Sequence, residues 1–263
     1  TFDPHPAVVL APSKAPPLLT TPTRRAQMLR ELGADAVEVL AFDEALAAMS
    51  PEAFVREVLV DRLGAAGVVL GPDFRFGKGR SGDVDTLRAL GATHGFEVRT
   101  VPPVQREGGV VSSTRIRRLV QAGEVDAARR LLGRVHDAGG RVVRGDQRGR
   151  TIGFPTANLD CEPVLLPADG VYAVVMRVDG ALHRGVANLG VRPTFAAGRS
   201  VEAHLFDFDG DLYDRDARVG FVKRIRGERK FDGIEALKAQ IATDAAAARQ
   251  ALDEADPADW ALV

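Results

Sequence analysis

The stretch Gly145-Asp146-Gln147-Arg148-Gly149-Arg150-Thr151-Ile152-Gly153-Phe154-Pro155-Thr156-Ala157-Asn158-Leu159 decides how the second half of this chain is read. Glycines such as Gly145, Gly149 and Gly153 permit positive φ and let backbone N–H groups come close to a ligand. Arg148 and Arg150 carry guanidinium forks suited to phosphate oxygens. If Thr156 and Asn158 lie on a strand, period two puts both side chains on one face. A hydroxyl and an amide oxygen side by side are hard, neutral ligands, which suits Mg²⁺ held jointly with a nucleotide's phosphates. No Walker-type lysine follows the glycines, so the stretch is not a P-loop. The same residues also fit a Gly-rich hairpin leading into a Pro-containing edge strand.

From Arg141 onward, runs of β-branched residues alternate with turn dipeptides. Gly170 to Val178 and Ala181 to Val186 flank Asp179-Gly180, a strong hairpin signal. Val201 to Phe208 and Asp211 onward flank Asp209-Gly210, which reads as a second hairpin. Val219, Phe221, Val222 and Ile225 form a further strand. Short strands with regular turns predict a small closed β-barrel. Asp232 with Glu235 resembles a capping box. It would start a helix with the apolar stripe Ile234, Leu237, Ile241, Ala245, Ala248 and Leu252, which must lie against the barrel. The tail with Trp260 is unassigned, and Trp260 is read as packing. In a strand from Val201, Glu202 and His204 share one face and Val201, Ala203 and Leu205 the other. A carboxylate at Glu202 can accept a proton from an attacking hydroxyl; a solvated strand face is the other reading. His183 and His204 read as structural.

The first half has a different rhythm. Thr21 caps a helix with Pro22 at its first position and Met28, Leu29 and Leu32 on its apolar face, ending near Gly33. Val37 to Leu40 reads as a short buried strand. Ser50-Pro51 starts a helix with Phe54, Val55, Val58, Leu59 and Leu63 at helical spacing. Val68 to Leu70, a helix from about Asp83 to His94 and a strand from Phe96 to Val101 follow. Strands alternating with helices predict a mainly parallel sheet, Rossmann-like, with ligands outside the strands' carboxyl ends. Gly71 to Gly82 and the loop before Ser112 fall there. Phe74 and Phe76 could face a flat ring, or sit in a mobile surface loop. Ser112, Ser113 and Thr114 before Arg115 read as helix caps or as a phosphate site at a helix N-terminus. That helix carries Ile116, Leu119 and Val120, stops at Gly123, and is followed by another from about Val125 to Leu132. Asp3 and His5 flank Pro4, and a lone His is more often structural than catalytic.

The chain has 263 residues, 45% hydrophobic and 27% charged, with a formal net charge of −1. That is an ordinary globular composition, and no bulk field favours nucleic acid or membrane. The single cysteine, Cys161, rules out an intrachain disulfide and a cysteine metal cage, and points to a reducing cytoplasm. No apolar run approaches a membrane span. The chain begins at Thr1 in what reads as a strand end, and residues are expected upstream.

The block "GRGRTIGFPTAN", with Gln147 before it in place of a small residue, resembles the nucleotide and Mg²⁺ motif of riboflavin kinases. Pro167 to Tyr172, Gly185 to Gly190, Val201 to Leu205 and Phe231-Asp232 follow in that family's order. Upstream, Thr1 to Pro6, Gly71 to Gly77 and Ser112 to Arg117 resemble blocks of the bacterial FAD synthetase module, which precedes the kinase in the bifunctional prokaryotic enzyme. The resemblance spans essentially the whole chain. It implies a nucleotidyltransferase-like α/β domain over residues 1–132, N-terminally incomplete, then a riboflavin kinase barrel over 133–263, Greek-key-like with a C-terminal helix. It implies ATP- and Mg²⁺-dependent phosphorylation of riboflavin to FMN, with adenylylation of FMN to FAD as the second activity. Glu202 would be the general base. Gly145, Arg148, Gly149, Arg150, Gly153, Thr156 and Asn158 would hold the nucleotide, with Thr156 and Asn158 as metal ligands. Asn188, Arg226 and Phe231 are candidates for the flavin. Asp3, His5, Phe74, Phe76, Ser112, Ser113, Thr114 and Arg115 would remain of the adenylyltransferase site. That module's histidine pair around a glycine is not among the five histidines His5, His94, His136, His183 and His204, so little FAD formation is expected from this polypeptide. Two other readings stay open: an adenylyltransferase with an auxiliary barrel, and a non-catalytic flavin- or nucleotide-binding protein.

Overall fold

Gly170–Val178 is the strand around which the second half closes, and its sequence shows why. Every second residue, Tyr172, Val174, Met176 and Val178, points into one apolar cluster, while Val171, Ala173 and Val175 point into another. A strand buried on both faces reads as a continuous apolar run rather than an alternating one. In this computed structural model, which describes residues 1–145, 149, 152–191 and 199–260, the chain forms two compact units. One comprises Thr1–Pro16 and Pro22–Val110, the other Pro17–Thr21 and Val111–Val263.

The second unit contains a closed six-stranded antiparallel barrel. Its strands are β1 (His136–Val143), β2 (Ala157–Cys161), β3 (Gly170–Val178), β4 (Ala181–Val191), β5 (Arg199–Leu205) and β6 (Asp216–Arg226), joined in the order β4-β5-β2-β1-β6-β3. Asp179 and Gly180 both have positive φ (48° and 82°), the geometry of the tight turn joining β3 to β4. The second expected hairpin does not form. Both edges of β5 are taken by β4 and β2, and both edges of β6 by β1 and β3, so Asp209-Gly210 sits in a connection between strands that are not neighbours. The barrel interior is filled by side chains such as Leu159, Val201, Leu189 and Phe221, each at most 1% exposed.

The helix Ile234–Asp253 covers the outer face of β3, β4 and β6. The expected capping box is absent: Gly233 is the N-cap, without a side-chain hydrogen bond, and Glu235 instead accepts from Lys238 Nζ at 3.3 Å. The expected stripe also divides. Ala248 and Leu252, with Ala251, pack into the outer cluster, whereas Ile234 is 56% exposed. Trp260 packs into the same outer cluster, and its turn is held by the Arg129–Asp259 ion pair and by Val135 N–H donating to Asp259 O at 3.0 Å.

Two helices complete this unit. Ser113–Ala122 buries Ile116, Leu119 and Val120 and ends at the left-handed Gly123, and Val125–Leu132 follows it. By contacts these helices group with the barrel, while the sequence reading put them in the front domain.

In the first unit the parallel pairing expected from sequence is present as two separate pairs, Phe2–Asp3 with Leu40–Ala41 and Gly67–Leu70 with Glu97–Thr100. Asp83 caps the helix Val84–His94, and Leu87, Phe76 and Val55 form the core beside it. Two expectations fail locally. Val37–Val39 is not strand, and Val39 is 41% exposed. The helix Pro22–Glu31 buries Arg24 and Ala26, leaving Leu29 and Leu32 outward.

His136 opens β1 with no exposure, its Nε2–H donating to Leu165 O at 2.7 Å and its Nδ1 without a partner among the described residues. Burial pushes its pKa below the ordinary 6.5, against the hydrogen bond to Leu165 and the neighbouring Asp137, which act the other way. As pH falls below about 6.5 the unfolded chain takes up a proton that the folded chain refuses, so stability falls. Urea unfolding at pH 7.5 and 5.5 should show a lower midpoint in acid, and a smaller drop in His136→Phe. An equal drop in both proteins removes His136 as the cause.

Candidate active site

Register on the outer wall of the barrel places polar side chains in one row. Asn158 on β2 lies opposite Glu202 on β5, and Glu202 lies opposite Asn188 on β4. Continuing around the wall, Asn188 faces Val171 on β3, and Val171 faces Arg226 on β6. Directly opposed residues have Cβ atoms about 5 Å apart, so Glu202 is flanked on both sides by amides. Alternation along β5 does the rest: Val201, Ala203 and Leu205 are buried in the barrel, while Glu202 and His204 point outward.

Gly145 packs against this row. A Cβ on Gly145 would sit 2.4 Å from Asn158 Nδ2, so only glycine lets the backbone pass there. Gly149 O accepts hydrogen bonds from Ile152 N–H (3.2 Å) and Phe154 N–H (2.8 Å), and Gly153 takes φ +87° to close this turn. Asn158 is 4% exposed, and its Oδ1 has no partner among the described residues. A buried amide oxygen without a donor is costly unless a ligand supplies a positive partner, which fits a hard cation. Among the described residues no group of three His, Cys, Asp or Glu side chains could hold a metal ion. The expected phosphate arginines Arg148 and Arg150 lie outside the described residues.

A cavity of about 790 Å³ opens on this face. Gly149, Phe154 and Thr156 line it from the loop side, and Glu202 and Asn188 from the barrel wall. Across from them stand Arg226, Phe231 and, from the helix Ile234–Asp253, Leu237, Ile241 and Asp244. A second cavity of about 490 Å³ lies at the barrel mouth, between Val142, Ala157 and Leu205 and the aromatic Tyr213. The Arg144 guanidinium stacks 4.5 Å over the Tyr213 ring. Thr156 lines both cavities.

The structure therefore brings together Gly149, Thr156, Glu202, Asn188, Arg226 and Phe231, with Asn158 beside Glu202. It also shows a residue that the sequence reading passed over. Asp244, 4% exposed, grips Arg226 in a fork: Nε lies 3.0 Å from both carboxylate oxygens and Nη2 2.8 Å from Oδ2. Gln240 donates to the same carboxylate at 2.8 Å and accepts from Arg229 at 3.0 Å, and both arginines lie over the Phe231 ring (5.5 and 4.8 Å). The charge of Arg226 is thus already matched, and the pair links the 226–231 segment to the helix, with Arg226 still lining the cavity. The sequence signal for Asp244 was a carboxylate in the middle of an alanine-rich helix, away from its ends.

The remaining candidates are divided between the units. In the first, Asp3 lies in a two-residue strand, and His5 Nδ1 accepts from Ala7 N–H at 3.1 Å, capping the helix Pro6–Leu10. Phe76 is committed to the core, packed on Phe54 and against Gly82, while Phe74 stacks on it at 5.6 Å and keeps an exposed face. In the second, Ser112 Oγ accepts from Arg115 N–H at 3.3 Å as the helix cap, with Ser113 and Thr114 exposed in the first turn.

Two family models match the chain: riboflavin kinase over residues 132–252 and FAD synthetase over residues 1–115. Proteins named bifunctional riboflavin kinase/FMN adenylyltransferase are similar over almost the whole chain. That of Pseudomonas fluorescens is 43% identical, covering 94% of this chain and 80% of the relative. That of Escherichia coli is 41% identical, covering 98% and 83%, and that of Bacillus subtilis 38%, covering 93% and 78%. A crystal structure named for a macrolide-efflux protein of Streptococcus pneumoniae superposes with a TM-score of 0.84 at 32% identity, covering 97% of this chain and 83% of that one. No helix among the described residues is long and apolar enough to cross a membrane.

Removing one member of a fully buried ion pair costs about 3–5 kcal/mol, and with Arg226 21% exposed the cost here should be smaller but still clear. Asp244→Ala should therefore lower the urea midpoint, and adding Arg226→Met should recover part of that loss. A single variant as stable as the parent would show that the fork contributes nothing.

Proposed function

The chain belongs to the bifunctional riboflavin kinase/FMN adenylyltransferase family, which makes FMN from riboflavin and FAD from FMN at the expense of ATP, and from that premise we propose how its barrel performs the kinase step. Riboflavin occupies the 790 Å³ cavity, its flat ring against Phe231, Leu237 and Ile241. ATP enters from the barrel mouth, with its adenosine by Tyr213 and its phosphates by Gly149 and Thr156. Thr156, which borders both cavities, marks where the two substrates meet. The functional division of the chain is proposed at 132/133, with the helices Ser113–Ala122 and Val125–Leu132 on the adenylyltransferase side by role.

The observation that carries this reading is the pairing of Asn158 with Glu202 across β2 and β5. It sets an unpartnered amide oxygen beside a carboxylate at the edge of a cavity of flavin size. Glu202 accepts the proton of the riboflavin 5′-hydroxyl as that oxygen attacks the γ-phosphorus and ADP leaves. Thr156 and Asn158 would hold Mg²⁺, which when bound neutralises charge on the phosphate oxygens. Asn188, on the other side of Glu202, orients the flavin's ribityl hydroxyls. Glycine at 149 lets the chain fold back on itself beside Thr156, since a Cβ there would meet Phe154 O at 2.3 Å. Ser112 to Arg115, at a helix N-terminus of the second unit, are proposed to serve phosphate in the adenylyl-transfer step; in the first unit Asp3, His5 and Phe74 are proposed to take part in that step, while Phe76 is taken up by the core.

Incubation with riboflavin, ATP and Mg²⁺, followed by chromatographic separation of riboflavin, FMN and FAD, tests the assignment. FMN should form, and Glu202→Gln should cut its rate on the order of 10²-fold while ADP binding is kept. Near-normal turnover in that variant refutes the base. Asn158→Ala should raise the Mg²⁺ concentration needed for half-maximal rate; an unchanged Mg²⁺ dependence rejects Asn158 as a ligand. FAD in the same chromatogram reads the second activity directly. Binding of riboflavin and ATP without any FMN would favour a non-catalytic protein.

A further inference from the structure

We propose that His204 is a positioning residue for the metal–nucleotide side of the kinase site, holding the loop that delivers Thr156; this rests on the kinase reading above. The ladder between β2 and β5 runs Leu159–Val201, Asn158–Glu202, Ala157–Ala203 and stops. The next rung would pair Thr156 with His204. In its place the His204 side chain reaches one residue further, with Nδ1 2.8 Å from Pro155 O. A carbonyl oxygen only accepts, so the ring carries its hydrogen on Nδ1. Proline has no N–H, and its carbonyl is the only backbone group by which Pro155 can be held.

The ring is itself fixed. It meets Phe154 edge-on at 5.4 Å and Phe206 at 6.1 Å, and Phe206 in turn lies 4.1 Å under the Arg249 guanidinium. His204 shares its strand face with Glu202, two residues away, and lines the same cavity. One rigid strand thus carries the proton acceptor directly and, through one donated hydrogen bond, the loop with the metal ligand. Relative placement of the two reacting halves is what phosphoryl transfer depends on. A hydrogen bond of this kind corresponds to about a fivefold change in an equilibrium constant.

Two variants separate the donated hydrogen from the ring. His204→Asn places an amide N–H near the former Nδ1, and His204→Phe keeps the ring contacts without a donor. The readouts are MgADP affinity by calorimetry, which needs no turnover, the Mg²⁺ concentration for half-maximal FMN formation, the KM for riboflavin, and Tm. His204→Phe should bind MgADP about fivefold more weakly and need correspondingly more Mg²⁺, with riboflavin KM changed less than the MgADP affinity and Tm unchanged. His204→Asn should stay within about twofold of the parent. The proposal is overturned if His204→Phe binds MgADP like the parent, if both variants lose affinity equally, or if the loss tracks a fall in Tm. Failure of the parent chain to make FMN counts instead against the kinase reading, and the MgADP arm still decides the role of His204.

Discussion

The antiparallel ladder between Ala157–Cys161 and Arg199–Leu205 is the constraint on which the rest depends. Backbone hydrogen bonds fix its register, and a slip of one residue would turn every side chain to the opposite face. With the observed register, Leu159 and Val201 fill the barrel while Asn158 and Glu202 stand side by side on its wall. The site is therefore positioned by the same alternation that builds the core. No separate scaffold is required for the carboxylate, because the strand that holds it is pinned by buried neighbours at 201, 203 and 205.

The C-terminal helix meets the barrel in two different ways. Its second half packs small residues, Ala248 and Ala251, with Leu252 onto the strands, closing the outer cluster around Val171, Ala173 and Val175. Its first half stands off, and Leu237 and Ile241 line a cavity. A helix tied down along its full length would leave no room for a ligand. The Asp244–Arg226 fork lies where the two regimes meet, and it is a charged link at a place where apolar packing gives way to open space. It also sets the direction of the segment 226–231, so that Phe231 faces the cavity.

Much of the site was legible because its chemistry is local. The Gly-rich run and the alternation around Glu202 are properties of neighbouring residues, and short-range geometry suffices to read them; Thr156, expected on one strand face with Asn158, lies one residue before the strand Ala157–Cys161. Most of what failed was non-local. Asp209-Gly210 has the composition of a hairpin turn, but a turn dipeptide cannot say whether its flanking strands still have free edges, and here they do not. Asp232 and Glu235 have the spacing of a capping box, but Gly233 takes the cap position. Phe76 and Phe74 look alike in sequence, yet the first is core and the second half-open, because only the first is enclosed by Phe54 and Gly82.

The amino-acid sequence by itself determined the barrel-with-helix architecture of the second half, the helix–strand alternation of the first, and which residue types could bind a nucleotide or take a proton. These follow from periodicity and from the chemistry of single side chains. The tertiary structure alone decided that Asn158, Glu202 and Asn188 form one row, that Thr156 borders two cavities, that His204 replaces a missing rung, and that Asp244 holds Arg226. Each of these joins residues distant in the chain, and which strand lies beside which is settled only when the barrel closes.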